Sequence, residues 1–510
     1  MWTAAAGLAA LTALSAQPAT GGLGAADALA AARAAGSPDA TSGLFSAGLG
    51  FGSIGEDYFA RVAASLTVDL GLVGFGIQIP LNIRVIDNPP TDDDDFGGLV
   101  REEDWDSVAD WLKILRFVYV GEPGGDYYLR VGQLTDLSLG HGTLVHRYRN
   151  DTDVNRWRVG LQAEGRVAGV GAQAFVGDLT DPYLLGLRGF ARPLEMALGS
   201  GPFKGLEIGA SVVVDRSAPL AVCLAPLDGD GQALDPGTCL SRTEATQLPG
   251  DPNIGIPNDD QDRPQARLTE TLALVGVDVG YRLVDLPVFS ITPYVDFNTI
   301  TALRDGWGLH AGVLWQLGIP LVIDQLVADL RTEFRYVSGD YVGPYVNGTY
   351  EIERFGSLQE TGRTFGPRTK LGRLCGVEGG GDCVGGGPER EGVFLELLAG
   401  LPKYIFFEGE LLDYAGETED TEDGTFRLSL EVPALQAVVF SASYFRVGIR
   451  DFGDLFALDD RSAVVARGRV PLDYGFYLDA TFLRVWRGDP DQGYAPVDDW
   501  QVGVGFAVPL

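Results

Sequence analysis

Nowhere in its 510 residues does the chain hold 18 or more uninterrupted apolar residues. No helix of this sequence is therefore long and apolar enough to cross a bilayer. Basic side chains are scarce: 38 Lys and Arg against 70 Asp and Glu give a net charge of −32. That excess of carboxylates would repel phosphates, which sets nucleic acid aside as a partner. Histidine is limited to His141, His146 and His310, and no Gly-x-Ser-x-Gly occurs. Little is left with which to assemble a nucleophile and its base, so no enzyme is expected. Cysteine is limited to four residues with no Cys-x-x-Cys, in the pairs Cys223/Cys239 and Cys375/Cys383. Both pairs lie in turn-rich polar stretches away from any histidine in sequence. They read as two local disulfides in an oxidising compartment rather than as zinc ligands.

What is abundant is glycine, with 70 residues, and apolar side chains, 45% of the chain, at a mean hydropathy of +0.07. The aromatic content of 10% argues against disorder. Residues 1–20, MWTAAAGLAALTALSAQPAT, combine a short apolar run with a small-residue exit and read as a secretory signal, although no Lys or Arg precedes Arg33. Residues 21–43 then form an N-terminal periplasmic or plug-like segment.

Alternation with a period of two recurs down the chain. In 75–85, Phe75, Ile77, Ile79, Leu81, Ile83 and Val85 alternate with Gly76, Gln78, Pro80, Asn82 and Arg84. The same pattern marks 61–70, 157–166, 326–336 and 500–508. A soluble sandwich would also alternate, but these runs are about 9–13 residues long, the length of a tilted transmembrane strand rather than of the usual 5–6-residue strand. The polar face carries glycine and charges of both signs. Aromatics gather near strand ends: Trp157, Tyr281, Trp307, Trp315, Tyr336, Tyr404, Tyr474, Trp486 and Trp500, as interfacial girdles would.

Threading gives twenty strands: 44–53, 60–71, 74–86, 112–121, 126–133, 156–166, 168–177, 184–194, 204–215, 267–282, 287–299, 305–318, 326–338, 391–399, 402–413, 424–433, 437–447, 463–471, 474–487 and 498–508. Short turns alternate with long loops at 87–111, 134–155, 216–266, 339–390, 414–424, 448–462 and 487–498. The fold class is all-β, a single-chain transmembrane antiparallel barrel of about 20 strands, 18–22, over 44–510. The last strand, DDWQVGVGFAV before Pro509 and Leu510, resembles the C-terminal strand that outer-membrane barrels present to their insertion machinery, with Phe506 inside the strand and leucine at the end. The chain is similar to the porin-like class of Gram-negative outer-membrane β-barrels. That resemblance implies an integral outer-membrane location among lipid and lipopolysaccharide, passage of small solutes, and assembly as a homo-oligomer.

The function expected is a channel for small polar or charged solutes through a water-filled lumen with mixed-charge walls. The alternative is a surface receptor or adhesin using disulfide-tied acidic loops. Candidate pore-lining residues are Arg61, Arg84, Arg130, Arg158, Glu164, Arg166, Asp329, Arg331, Glu333, Arg335, Glu408, Glu410, Arg427, Arg467 and Arg469. Opposite charges there could simply pair and fill the lumen, or separate into walls that orient a solute. Loop 134–155 is the candidate constriction: Leu137, Leu139, Leu144 and Val145 are too apolar for an exposed tip, and His141, His146, Arg147 and Arg149 would enter the channel with them. In 102–115, EEDWDSVADWLKIL reads as a short helix.

No cofactor is expected beyond Ca²⁺ or Mg²⁺ loosely bridging acidic loops to lipopolysaccharide. Asp228, Asp230 and Asp235 show the Asp-x-Asp spacing of a calcium loop, without its glycine and terminal glutamate. The acidity itself is one-sided. Loop 87–111 holds ten acids against Arg101, loop 216–266 eight against three arginines, and loop 414–424 five.

Overall fold

The structure is a computed structural model. It describes residues 42–509 except for parts of the connections, chiefly 55–56, most of 87–107, 151–157, 199–204, most of 227–264, 302–305, 322–324, 356–368, 376–387, 416–423 and 490–492. Among the described residues, twenty antiparallel strands close on themselves. In chain order they are β1 Ser42–Ile54, β2 Asp57–Asp69, β3 Val73–Ile86, β4 Leu115–Gly121, β5 Tyr127–Gly132, β6 Gly160–Val167, β7 Val170–Val176, β8 Leu184–Ala191, β9 Leu206–Val222 and β10 Ala266–Tyr281. There follow β11 Phe289–Ile300, β12 Trp307–Pro320, β13 Gln325–Val337, β14 Arg390–Leu401, β15 Ile405–Ala415, β16 Thr425–Leu435, β17 Val438–Val447, β18 Ser462–Pro471, β19 Phe476–Asp489 and β20 Gly493–Pro509. After Tyr281 the chain of β10 resumes as Val284–Leu286, still on β11. Closure is made by β1 on β20, with Phe45 opposite Val508 and Phe51 opposite Val502. The ring leaves no free edge, so every backbone donor and acceptor in it can be met between strands.

Period-two alternation sorts the side chains onto two surfaces. Ile77, Ile79, Leu129, Val277, Val295, Leu330, Phe334, Val393, Leu395, Val502 and Val504 point outward and stay exposed. A soluble sheet would bury such a belt. On β12 the outward Trp307 and Trp315 sit eight residues apart, about 27 Å along the strand and about 20 Å of depth at a barrel's tilt. Trp307 packs with Phe297 and Tyr336 at one end of that span.

The lumen surface explains much of the glycine. Strand after strand, an inward aromatic ring lies across a glycine on its neighbour: Phe175 over Gly186, Tyr294 over Gly312, Tyr414 over Gly392 and Tyr477 over Gly505. A Cβ at Gly186 or Gly505 would fall 2.0 or 2.1 Å from the ring. Only glycine allows that approach.

The even number of strands returns both ends of the barrel to one side, where the turns are short. Two of the expected loops are partly strand. Residues 216–222 continue β9 in pairing with β10, with register shifts near Ala266, Leu268 and Glu270. Residues 487–489 and 493–498 are paired strand, with Asp489 opposite Gly493 and Arg484 opposite Asp498. Strands that run past the apolar belt no longer need a lipid-facing row, so alternation gives no signal there. The helix expected in 102–115 is the short α1, Val108–Leu112. Cys223 and Cys239 are joined in a disulfide. Cys375 is also disulfide-bonded, and Cys383 lies outside the described residues. So do residues 1–41, with the expected signal and most of the expected plug-like segment 21–43, whose last two residues, Ser42 and Gly43, open β1.

Candidate functional site in the barrel lumen

The described part of the connection between β5 and β6, residues 133–150 with 158–159, folds into the lumen. Its base is clamped by Asn150, whose side chain accepts from Leu134 N at 2.8 Å and donates to Gly177 O at 2.8 Å. Leu137 and Tyr148 exchange backbone hydrogen bonds, making a small antiparallel ladder. Gly140 and Gly142 take positive φ at its tip, where other residues would be strained. Leu134, Leu137, Leu139, Leu144 and Val145 are buried in one cluster with inward wall residues such as Phe175, Val213, Leu274 and Phe394.

A second connection, β13 to β14, joins it. Val145 pairs with Val346 as a parallel bridge, and His146 N donates to Val346 O at 2.9 Å. Tyr341, Tyr345 and Tyr350 enter the same cluster, together with Leu371 and Cys375. The two loops thus form a folded plug against the β5–β15 side. The β13–β14 connection, described over 338–348, 350–355 and 369–375, was not anticipated to fold inward. Its density of tyrosine and valine in YVGPYVNGTY carried the same signal as the leucines of 134–155.

The plug is held by buried charge. Asp215 of β9, fully buried, accepts from Tyr350 Oη at 2.6 Å and from Arg354 Nε at 2.9 Å and Nη2 at 3.2 Å. Glu351 accepts from Tyr148 at 2.5 Å, from Tyr183 at 2.6 Å and from Arg158. Burial pushes the Tyr148 and Tyr350 hydroxyls well above their ordinary pKa, with the Asp215 carboxylate adding to the shift at Tyr350. Arg158 was expected on a strand as a pore-lining residue. It lies just before β6, buried, and serves as a clamp of the plug.

The wall beneath is also paired. On β13, Glu333 accepts from Arg335 Nε at 2.5 Å and Arg331 Nη2 at 2.6 Å, and also from Tyr294. His310 of β12 bridges Glu333 at 3.0 Å and Tyr341 Oη at 3.1 Å. These groups are buried, so Arg331, Glu333 and Arg335 are interior struts rather than a water-lined surface. Asp296 of β11 receives His141 Nδ1 at 2.8 Å and Thr143 Oγ1 at 2.7 Å. His141 also stacks on Tyr294 at 4.3 Å. Arg188 of β8 spans Asp278 at 2.5 Å and Glu207 at 2.8 Å.

At the plug's open flank, Arg147 reaches Glu396 Oε1 at 2.9 Å and also Glu408. Arg427 reaches the same Glu408 oxygen at 3.4 Å. Burial opposes the charge on Arg147, but Glu408, Asp136 and Glu396 outweigh it and raise its pKa. The base is therefore neutralised by the wall, not offered bare to the channel. Arg149 is half-buried.

The remaining candidates lie elsewhere on the wall. Arg61 Nη1 donates to Gln501 Oε1 at 3.2 Å across β2 and β20. Arg84, Arg467 and Arg469 project inward from β3 and β18, Arg467 opposite Ser441 and Thr481, Arg469 opposite Asp479. Arg130 donates to Gln133 O at 2.6 Å. Glu164 accepts from Gly124 N at 3.1 Å, and Arg166 approaches Asp126 at 3.4 Å at the short-turn rim. Asp329 stands opposite Gln316 and Leu398. Of the candidate calcium ligands, Asp228 and Asp230 lie outside the described residues; Asp235 is exposed, and its backbone carbonyl accepts from Thr238 N at 3.0 Å.

A closed, even-stranded antiparallel barrel with an apolar outer belt, short turns at one rim and long loops at the other is an integral outer-membrane β-barrel. No family model and no curated protein matches the chain. Solved structures similar to it include the outer membrane protein opdK from Pseudomonas aeruginosa, at 9% identity over 92% of this chain and 98% of that one, TM-score 0.30. OccK11 (OpdR) from Pseudomonas aeruginosa aligns at 12% identity over 92% and 96%, TM-score 0.31. Wzi, an outer membrane protein involved in group 1 capsule assembly in Escherichia coli and a carbohydrate-binding β-barrel, aligns at 9% identity over 92% and 84%, TM-score 0.31.

Proposed function

We propose that this barrel is a diffusion channel for small polar or charged solutes, with a preference for anions. The observation that carries the reading is the difference between the two sides of the lumen. On the β5–β15 side the plug loops cover the wall and the charges are neutralised in buried clusters. On the side made by β17–β20 and β1–β3, side-chain hydrogen bonds such as Arg61 to Gln501 and Ser46 to Ser65 at 2.8 Å join strand to strand, while Tyr444 and Arg446 of β17 turn to the connection that follows it, at Ala457 and Asp459. Arg61, Arg84, Arg467 and Arg469 line that side, against Asp69 and Asp479. A polar solute would pass along this arginine-rich wall beside the plug, its anionic groups guided from one guanidinium to the next.

A second reading draws on the filled half of the lumen: a surface receptor whose disulfide-tied loop at Cys223–Cys239 meets a ligand outside. Purified protein in a planar bilayer under a salt gradient separates the two. Stepwise current with an anion-leaning reversal potential is expected. Correctly folded protein that carries no current would replace the channel with the receptor.

A further inference from the structure

Glu396 of β14 and Glu410 of β15 stand directly opposite each other in the lumen wall. Two carboxylates in direct register repel unless a cation lies between them. Arg147 and Arg331 flank Glu396 and Arg427 stands opposite Glu410, but the group that projects between the two carboxylates is His146, from the tip of the plug. Its side chain is 8% exposed, and its Nε2 is buried without a hydrogen-bond partner. Nε2 lies 3.4 Å from Glu396 Oε1 and 3.8 Å from Glu410 Oε2. These separations are too long for good N–H···O bonds. They approach the edge of a coordination polyhedron, because donors bound to one ion at about 2.0–2.2 Å stand roughly 3.0–3.6 Å apart.

We propose that His146, Glu396 and Glu410 form a zinc site that fastens the plug to the barrel wall. The three donor atoms already lie within 4.8 Å of one another. One imidazole nitrogen with two carboxylate oxygens suits a borderline divalent ion better than Ca²⁺ or Mg²⁺, which prefer oxygen alone. The ring is held in place from both sides: the backbone N–H of His146 is bonded to Val346, and the ring meets Phe394 edge-on at 5.7 Å. Arg147 Nε occupies one lone pair of Glu396 Oε1, and a carboxylate oxygen has a second to give. Glu410, at 21% exposed the most accessible of the three, leaves a water-facing fourth position. The site stands whether or not the barrel conducts.

The test uses the full chain in detergent, purified without a polyhistidine tag, stripped with chelator and dialysed against micromolar Zn²⁺ with millimolar Ca²⁺ present. One zinc per chain is expected, with Co²⁺ giving visible d–d bands at the same stoichiometry. His146→Ala and Glu410→Gln should each weaken binding by about tenfold or more and abolish the cobalt bands, while Glu195→Gln at the short-turn rim leaves both unchanged. If His146→Ala loses the heat-resistant gel mobility of a folded barrel, the near-isosteric Glu410→Gln decides. Absence of stoichiometric zinc, or zinc and cobalt binding unmoved in folded Glu410→Gln, would overturn the proposal and leave the trio an ion-paired contact.

Discussion

Arg354, carried on the connection between β13 and β14, grips Asp215 of β9 with two nitrogens, at 2.9 and 3.2 Å. The two residues are 139 positions apart and both are buried. Asp215 is also the acceptor for Tyr350 and for the backbone of Ser217 at 2.9 Å. One carboxylate thus gathers two side chains of the second plug loop onto the barrel, in addition to the contact of Tyr341 with His310. Removing one member of such a pair leaves the other charge buried and uncompensated, at a cost of about 3–5 kcal/mol. Arg354→Ala should release the loop without dissolving the barrel. The expected outcome is retained heat-resistant gel mobility with a lowered, separate thermal transition of near-ultraviolet circular dichroism, and a larger, noisier bilayer conductance. Unchanged conductance together with an unchanged transition would show that this anchor does not hold the plug.

Arg467 and Arg469 sit on β18, outside the β5–β15 wall that the plug covers, and Arg469 also lies over the Tyr477 ring at 4.1 Å. Replacing both with glutamine removes two positive charges from the proposed solute path without touching the plug clusters. Under a salt gradient at low ionic strength the anion-to-cation permeability ratio should fall by about twofold or more, with the difference narrowing as salt is raised. An unchanged reversal potential in the double variant would take this wall out of the conduction path.

Burial holds the Tyr148, Tyr341 and Tyr350 hydroxyls protonated past the ordinary range. The sign follows from linkage. The folded plug keeps these protons at a pH where the released loops would lose them. Their contribution is therefore complete below about pH 10 and is lost as pH climbs through the folded-state values. Tyrosinate absorbance, read over the 18 tyrosines, should rise in two phases. The first comes from tyrosines outside the plug. The second coincides with loss of plug circular dichroism. A single phase near pH 10 with the plug signal intact would contradict the buried arrangement.

The alternation that gave away the strands was legible because lipid and lumen impose opposite chemistry on successive residues. It failed at 216–222, 487–489 and 493–498, where paired strand continues beyond any lipid-facing row. The inward fold of 134–150 was legible from Leu137, Leu139, Leu144 and Val145, which had no reason to sit at an exposed tip. The partner loop showed Tyr341, Tyr345 and Tyr350, but within a long connection whose flanks read as surface. That opposite charges could pair inside the lumen was legible as one of two readings, but which partners meet was not. Glu351 and Arg158 are separated by 193 residues, Asp296 and His141 by 155, and only closure of the ring sets them side by side.

The strand glycines divide by face, lumen-facing ones that lie under a ring and outward ones such as Gly468, between the inward Arg467 and Arg469, which makes them a test of packing. At Gly186, on β8, an added Cβ would meet Phe175 Cε1 at 2.0 Å, and at Gly505, on β20, it would meet Tyr477 Cζ at 2.1 Å. At Gly468, on β18, it would meet nothing within 4 Å. Each of the first two substitutions to alanine forces a ring off its seat across the neighbouring strand, a cost of about 1–3 kcal/mol. Gly468→Ala adds no clash and restricts the unfolded chain, worth up to about 1 kcal/mol in the opposite direction. Urea unfolding in lipid vesicles, followed by tryptophan fluorescence, should therefore place Gly186→Ala and Gly505→Ala at lower midpoints than the parent and Gly468→Ala level with it or above. Equal midpoints for all three would mean that the ring-over-glycine contacts carry no stability.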